Sequence, residues 1–172
     1  QIDDVLADLA SFAAGLPCAA DVLSDTQVRT SRVIRGSVEQ VWAAHHDADL
    51  LQRWLLGPDG WEMPVCEVAT AVGDTYRYEW QAADGSGGFG FTGELLASDP
   101  PHRAVTTEQM LGMPGPATVN ELTLTPVEGG TLLVLVITYP SAEIRDMVLA
   151  TGMTDGMEAS YARLEEQVLA PA

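Results

Sequence analysis

Lysine is missing from this chain. All of its basic residues are arginines, eight of them against 25 Asp and Glu, for a net charge of −17. Phosphate neutralisation needs clustered cations, so nucleic acid is not an expected partner. Anionic membrane surfaces are disfavoured for the same reason. The surplus carboxylates read as a solubilising acidic surface.

Cysteine is almost as scarce. Cys18 and Cys66 supply neither a disulfide framework nor a metal-ligand spacing, and the expected location is the reducing cytoplasm. No His-x-Glu-His or Cys-x-x-Cys spacing occurs, so no metal or other cofactor is expected. Long apolar runs are lacking too. "LASFAAGLPCAA" (9–20) and "GGTLLVLVITYPSA" (129–142) both fall short of a membrane span, which needs roughly 20 residues, and Gly and Pro break the second. No basic segment precedes an apolar stretch at the start, so no signal peptide is expected. There is no nucleophile elbow, phosphate loop or dinucleotide fingerprint. "GSGGFG" lies between strands with no helix behind it and reads as a turn.

What remains is enough for one folded domain. The chain has 172 residues and is 47% apolar. "DDVLADLASFAA" (3–14) has helical spacing and ends at Gly15-Leu16-Pro17, and "CAADVLSDTQ" reads as a connector. Residues 1–26 are therefore an expected N-terminal helical extension, followed by one domain over 27–172. "VRTSRVIR" is strand-like. Ser37 and Gln40 form a capping box for "VEQVWAAHH", and "ADLLQRWLL" gives a second short helix. Between residues 61 and 139 six strands alternate with short turns, which argues for an antiparallel meander. Ser141 can cap a closing helix that buries Ile144, Met147 and Val148, and Gly152 breaks or kinks it. The expected fold is α+β: a curved seven-stranded antiparallel sheet covered on one face by a long C-terminal helix.

Several segments resemble a known family. "SRVIRGSVEQVWAAHHDADLLQRWLLGPDGW", "GFTGELLASDPPHRAVTTE", "EGGTLLVL" and "YPSAEIRDMVLATGMTDGMEASYARLEE" are similar to the START-like, pollen-allergen-like superfamily. Within it they most resemble the family named after the activator of the ninety-kilodalton heat-shock chaperone's ATPase. Residues 28–169 carry the likeness; Gly73-Asp74 departs from it, since many relatives have Gly-Gly there. The resemblance implies a helix-grip fold with a cavity between sheet and helix. It does not imply one activity, because the superfamily includes lipid and hormone binders, cyclases, dehydratases and co-chaperone domains.

Within that frame, Met153, Met157 and Tyr161 lie on one face of the last helix and would make a compliant apolar wall. Strand alternation turns Tyr76, Tyr78, Trp80, Asn120, Leu122, Leu124, Leu133, Leu135, Ile137 and Tyr139 inward. Tyr78, Asn120, Tyr139, Tyr161 and Trp54 combine apolar bodies with polar tips, the usual make-up of a small-molecule site. The expected ligand-binding set is Trp54, Tyr78, Asn120, Leu122, Tyr139, Met153, Met157 and Tyr161. The first functional reading is a binder of a small hydrophobic or aromatic molecule. The second is a cofactor-independent cyclase, dehydratase or lyase, for which His45, Arg77 and Glu108 are the ionisable candidates. The third is a co-chaperone-like domain whose partner is a chaperone. Glu94 should face outward, and the alternation around Glu108 in "AVTTEQM" is ambiguous.

Overall fold

The computed structural model describes residues 18–113 and 115–169. Its elements are β1 (Ala19–Val22), β2 (Gln27–Ile34), α1 (Val38–His46), α2 (Ala48–Trp54), β3 (Trp61–Glu67), β4 (Thr75–Ala82), β5 (Gly88–Asp99), β6 (Arg103–Met110), β7 (Thr118–Val127) and β8 (Gly130–Thr138). Two helices follow, α3 (Ala142–Leu149) and α4 (Met153–Leu164), with a π-helical turn over Glu165–Leu169. All neighbouring strands pair antiparallel, in the order β1-β2-β8-β7-β6-β5-β4-β3. Register shifts in β3 after Glu62 and in β5 after Leu95 mark bulges, which bend strands. The architecture is the α+β helix-grip fold.

One strand is additional. The segment expected as a connector pairs with β2 through Ala19–Ser31 to Val22–Val28, giving eight strands where seven were expected. The boundary drawn at residue 26 thus falls inside the sheet. The short, exposed edge "AADV" carries almost no period-two signal, so pairing with β2 defines it rather than its own pattern. The helix expected over 3–14 lies outside the described residues.

Local signals set the helix boundaries. Ser37 accepts from the Gln40 amide while the Gln40 side chain accepts from Ser37 N–H, a complete capping box. Asp47 caps α2, and Ser141 caps α3 by accepting from Ile144 N–H. Gly152, at φ +78°, occupies the left-handed region between α3 and α4 and divides the closing helix in two.

The sheet has two ends. Gln27–Thr138 and Trp80–Phe89 pair near one; Ile34–Thr131 and Thr75–Glu94 pair near the other. The second end is closed by α1 and α2, whose Val38, Val41, Leu51 and Trp54 form the largest buried group with Ile34, Leu124, Leu133 and Leu164. At the first end α3 follows β8 beyond its paired residues, and only its Val148 and Leu149 reach the buried group of Val28, Ile137 and Tyr139. Ile144 and Met147, expected to be buried, are 37% and 63% exposed.

Helix α4 is held along both flanks by polar ties. On one side the Arg32 guanidinium donates to Glu158 at 2.8 and 2.9 Å and meets Glu165 at 3.0 Å. Cys18 N–H also donates to Glu158, at 2.8 Å. On the other side Gly57 N–H donates to Ser160 Oγ at 2.8 Å, and Arg163 donates to the Gly57 carbonyl and to Asp59, each at 2.8 Å.

Candidate functional site

Pairing registers lay out the inner face in rows. One row runs Val28, Ile137, Asn120, Thr106 and Leu95 across β2, β8, β7, β6 and β5. The next runs Thr30, Leu135, Leu122 and Ala104. Glu108 is two residues beyond Thr106 on β6, so it shares that face and points inward. The pairing resolves what the alternation of "AVTTEQM" left open. Glu94 is exposed, as expected.

The centre of this face differs from its surroundings. Strands β6, β7 and β8 are the middle of the sheet, where an overlying helix should cover most completely. Yet Thr106, Glu108, Asn120, Leu122 and Leu135 are only half-buried. The buried apolar residues divide into three groups around them: the one at α1 and α2, one of Ala69, Tyr76, Leu95 and Ala104, and one of Val28, Ile137 and Tyr139.

Glu108 is the ionisable group in this central patch. Burial pushes its carboxyl above the ordinary glutamate range, against a smaller opposing pull from the Asn120 amide. Burial, and then the Glu108 charge, raises the phenols of Tyr76 and Tyr139, the latter to about 12. Tyr78 is raised by burial, then by Cys66 and Glu108. Three tyrosines therefore feel the charge of one carboxyl. Two of their hydroxyls are engaged: Tyr76 donates to the Thr107 carbonyl, and Tyr139 donates to Met153 Sδ at 3.5 Å. Asn120 Oδ1 is buried and accepts no hydrogen bond from any described residue.

The other expected residues fall in different places. Leu122 stands beside Asn120, half-buried. Met153 packs on Tyr139, and half-buried Met157 packs on the group at α1 and α2. Trp54 is a core residue: it is 1% exposed, and its indole N–H donates to the Ala44 carbonyl at 2.9 Å. Its surface is closed and its one donor is engaged, so in this structure it stands with the core. Tyr161 is also buried, stacked near Trp54 with centroids 6.1 Å apart. Its phenol is raised by burial and faces Cys18, Arg32 and Glu158 rather than Glu108.

His45 sits in α1 with Nδ1 2.7 Å from the Val41 carbonyl and its ring edge-on to Trp54 at 4.8 Å. Burial lowers its imidazole to about 4, which leaves it neutral and donating through Nδ1. No described contact joins it to Glu108. Arg77 lies on the outer face in a half-exposed ion pair with Glu79 at 2.9 Å. Of the three ionisable candidates only Glu108 reaches the inner face's centre. Among the described residues no three His, Cys, Asp or Glu converge as a metal site requires, and no helix is long and apolar enough to cross a membrane.

Tyr76, Thr106 and Leu135 complete the central patch and were absent from the expected set. Alternation already turned Tyr76 and Leu135 inward; Thr106 needed the β6–β7 register. The description "Activator of Hsp90 ATPase homolog 1-like protein" matches residues 35–168. The chain belongs to this family. A protein from Rhodobacter sphaeroides of solved structure is similar at 33% identity and TM-score 0.83, over 90% of this chain and 99% of that one. A protein from Mycobacterium smegmatis shares the fold at 22% identity and TM-score 0.79, over 91% of this chain and 99% of that one. An AHSA1-like protein from Aeromonas hydrophila does so at 21% and 0.67, over 85% of this chain and 96% of that one. No protein with a curated description matches the chain. Membership of the AHSA1-like family agrees with the START-like helix-grip architecture.

Proposed function

We propose that this AHSA1-like protein holds a small hydrophobic or aromatic molecule between the inner face of its sheet and α4. The observation that carries this reading is the accessible surface kept by Thr106, Glu108, Asn120, Leu122 and Leu135 at the middle of the sheet. Interiors pack close to crystal density, so central inner-face residues retain surface only where the covering layer leaves a hollow. Met153 and Met157 would form its adaptable roof and Tyr78, Tyr139 and Leu122 its walls. In this reading the α1–α2 end is shut and the α3 end is the way in, where Phe89, Met110, Met113, Ile144 and Met147 are exposed.

Met157→Trp tests it by filling the space. Mass spectrometry of the native protein, after incubation with a library of aromatic and aliphatic compounds, should find bound ligands that the variant loses while its fold survives. Unchanged binding in a folded variant would refute the assignment of that wall.

A second reading has one observation in its favour. A lone inward carboxyl with a raised proton affinity beside three phenols is equipped for proton transfer, so Glu108 would be the acid–base group of a cofactor-independent cyclase or lyase. Loss of turnover, with binding retained, in Glu108→Gln would distinguish catalysis from storage. The chaperone-partner reading rests on the family description alone.

A further inference from the structure

The polar atoms at the centre of the inner face are unbalanced. Asn120 Oδ1 is buried and has no partner among the described residues, and the Glu108 carboxyl beside it, which the Asn120 amide approaches, is an acceptor whenever ionised. Buried polar groups are nearly always paired, and leaving one unpaired is costly. One orphan amide oxygen beside an inward carboxyl therefore describes the missing partner: it donates.

Charge narrows the partner further. The arginines near the inner layer are engaged elsewhere: Arg32 by Glu158 and Glu165, Arg163 by Gly57 and Asp59, and Arg53 by the Gln167 carbonyl. Arg77 and Arg103 pair with Glu79 and Glu121 on the outer face. There is no lysine to substitute for them. A carboxylate guest would meet no available described cation, an inward glutamate, and the field of a chain carrying −17. An ammonium group would meet a carboxyl, an amide oxygen and the rings of Tyr76 and Tyr78, whose centroids are 4.9 Å apart. Aromatic faces attract cations as well as apolar groups.

We propose that the guest is a hydrophobic amine, held by its nitrogen against Glu108 and Asn120 Oδ1 with its apolar body under Met153 and Met157. This rests on the binding reading above and specifies its ligand class. Burial favours the protonated form of the Glu108 carboxyl. An amine arriving as ammonium displaces whatever proton that carboxyl holds to solvent and leaves an ammonium–carboxylate pair, so charge and protons balance without a co-reactant. The groups facing Glu108 from neighbouring elements are Tyr76 and Tyr78 on β4, Asn120 on β7 and Tyr139 after β8.

The test uses three apolar bodies, phenylbutyl, naphthylmethyl and decyl, each as amine, alcohol and carboxylate, with titration calorimetry in two buffers of different ionisation enthalpy. For the bodies that bind, the amine should exceed the alcohol by about tenfold, the margin of a charge-assisted over a neutral hydrogen bond. The carboxylate should bind weakest, and only the amine should release a proton. Glu108→Gln should level amine and alcohol and abolish the proton release, while Asn120→Leu should weaken both. Carboxylates binding as tightly as amines, or amine and alcohol tying in the parent protein, would overturn the amine assignment and keep the hollow. Binding by none of the nine compounds would overturn the hollow, and the amine assignment with it.

Discussion

The tie between β2 and α4 makes the most direct quantitative prediction. Arg32 and Glu158 have side chains 14% and 27% exposed and share two short hydrogen bonds; Glu165, at 17%, adds a third contact. Surface pairs contribute about 0–1 kcal/mol, and breaking a fully buried one destabilises by about 3–5. This network lies between those limits. Arg32→Met keeps the aliphatic stem and removes the charge, leaving two carboxylates close together with their shared cation gone. Burial alone would lower the Arg32 pKa, but its two carboxylates more than offset that and raise it. A loss of about 2–3 kcal/mol is expected, or about 4–12 °C in Tm for a domain of this size.

Urea unfolding of Arg32→Met, Glu158→Leu and the double variant supplies the assay. The double variant should lose less than the sum of the singles by about 1–2 kcal/mol, because it leaves no charge opposite an empty partner. Part of the Glu158→Leu loss should remain, since Cys18 N–H also donates to that carboxylate. Single losses below about 0.5 kcal/mol with no coupling would refute the claim that this network holds α4.

Other perturbations test other levels of the fold. A Cβ at Gly93 would lie 1.8 Å from the Thr107 carbonyl oxygen, so Gly93→Ala must move strand backbone and should prevent folding or lower Tm severely, read by circular dichroism. Ser37→Ala removes half of the α1 capping box and should destabilise by about 1 kcal/mol in the same urea assay. Glu108 has a raised folded pKa, so the folded state binds its proton more tightly. Its contribution is complete below the ordinary glutamate range and declines as pH rises through the folded value; Glu108→Gln should flatten that decline and gain relative stability at neutral pH. His45 acts oppositely: lowered to about 4, its contribution is present above its unfolded value near 6.5 and is lost as pH falls through the folded one. His45→Asn should flatten the stability profile between these values whatever its absolute stability.

The strands with one-sided patterns were legible from residues alone. In "TYRYEW" the aromatic positions go inward and Arg77 and Glu79 outward, because a half-buried sheet imposes period two. The Ser37 capping box was legible because its four-residue geometry is local. The β1 strand was not, since a short exposed edge is selected by its neighbour. Glu108 was ambiguous because Ala104, Thr106 and Glu108 are no more apolar than Val105 and Thr107; the β6–β7 register decides. The partner of the Trp54 indole was not legible from residue type, because the Ala44 carbonyl that takes its N–H lies ten residues away. The Arg32–Glu158 tie joins positions 126 residues apart, and helical periodicity placed Glu158 only off the methionine stripe.

Those polar ties would let the proposed hollow at the middle of the sheet persist. A helix over a sheet usually stays in place because it packs on what lies beneath, which pulls the layers together and closes any gap. Here α4 is anchored at Leu164 and Tyr161 in the closed end and along its flanks by Arg32, Ser160 and Arg163. In the proposed binding reading its central span stands off from Asn120 and Glu108 without coming loose. The polar character of that centre follows, since an apolar floor with surface to spare would favour collapse of the helix onto it. Loosening the Arg32 tie should therefore impair guest binding as well as stability, although Arg32 touches neither Glu108 nor Asn120. Its variant should show weaker affinity for the phenylbutyl amine at temperatures where it is still fully folded.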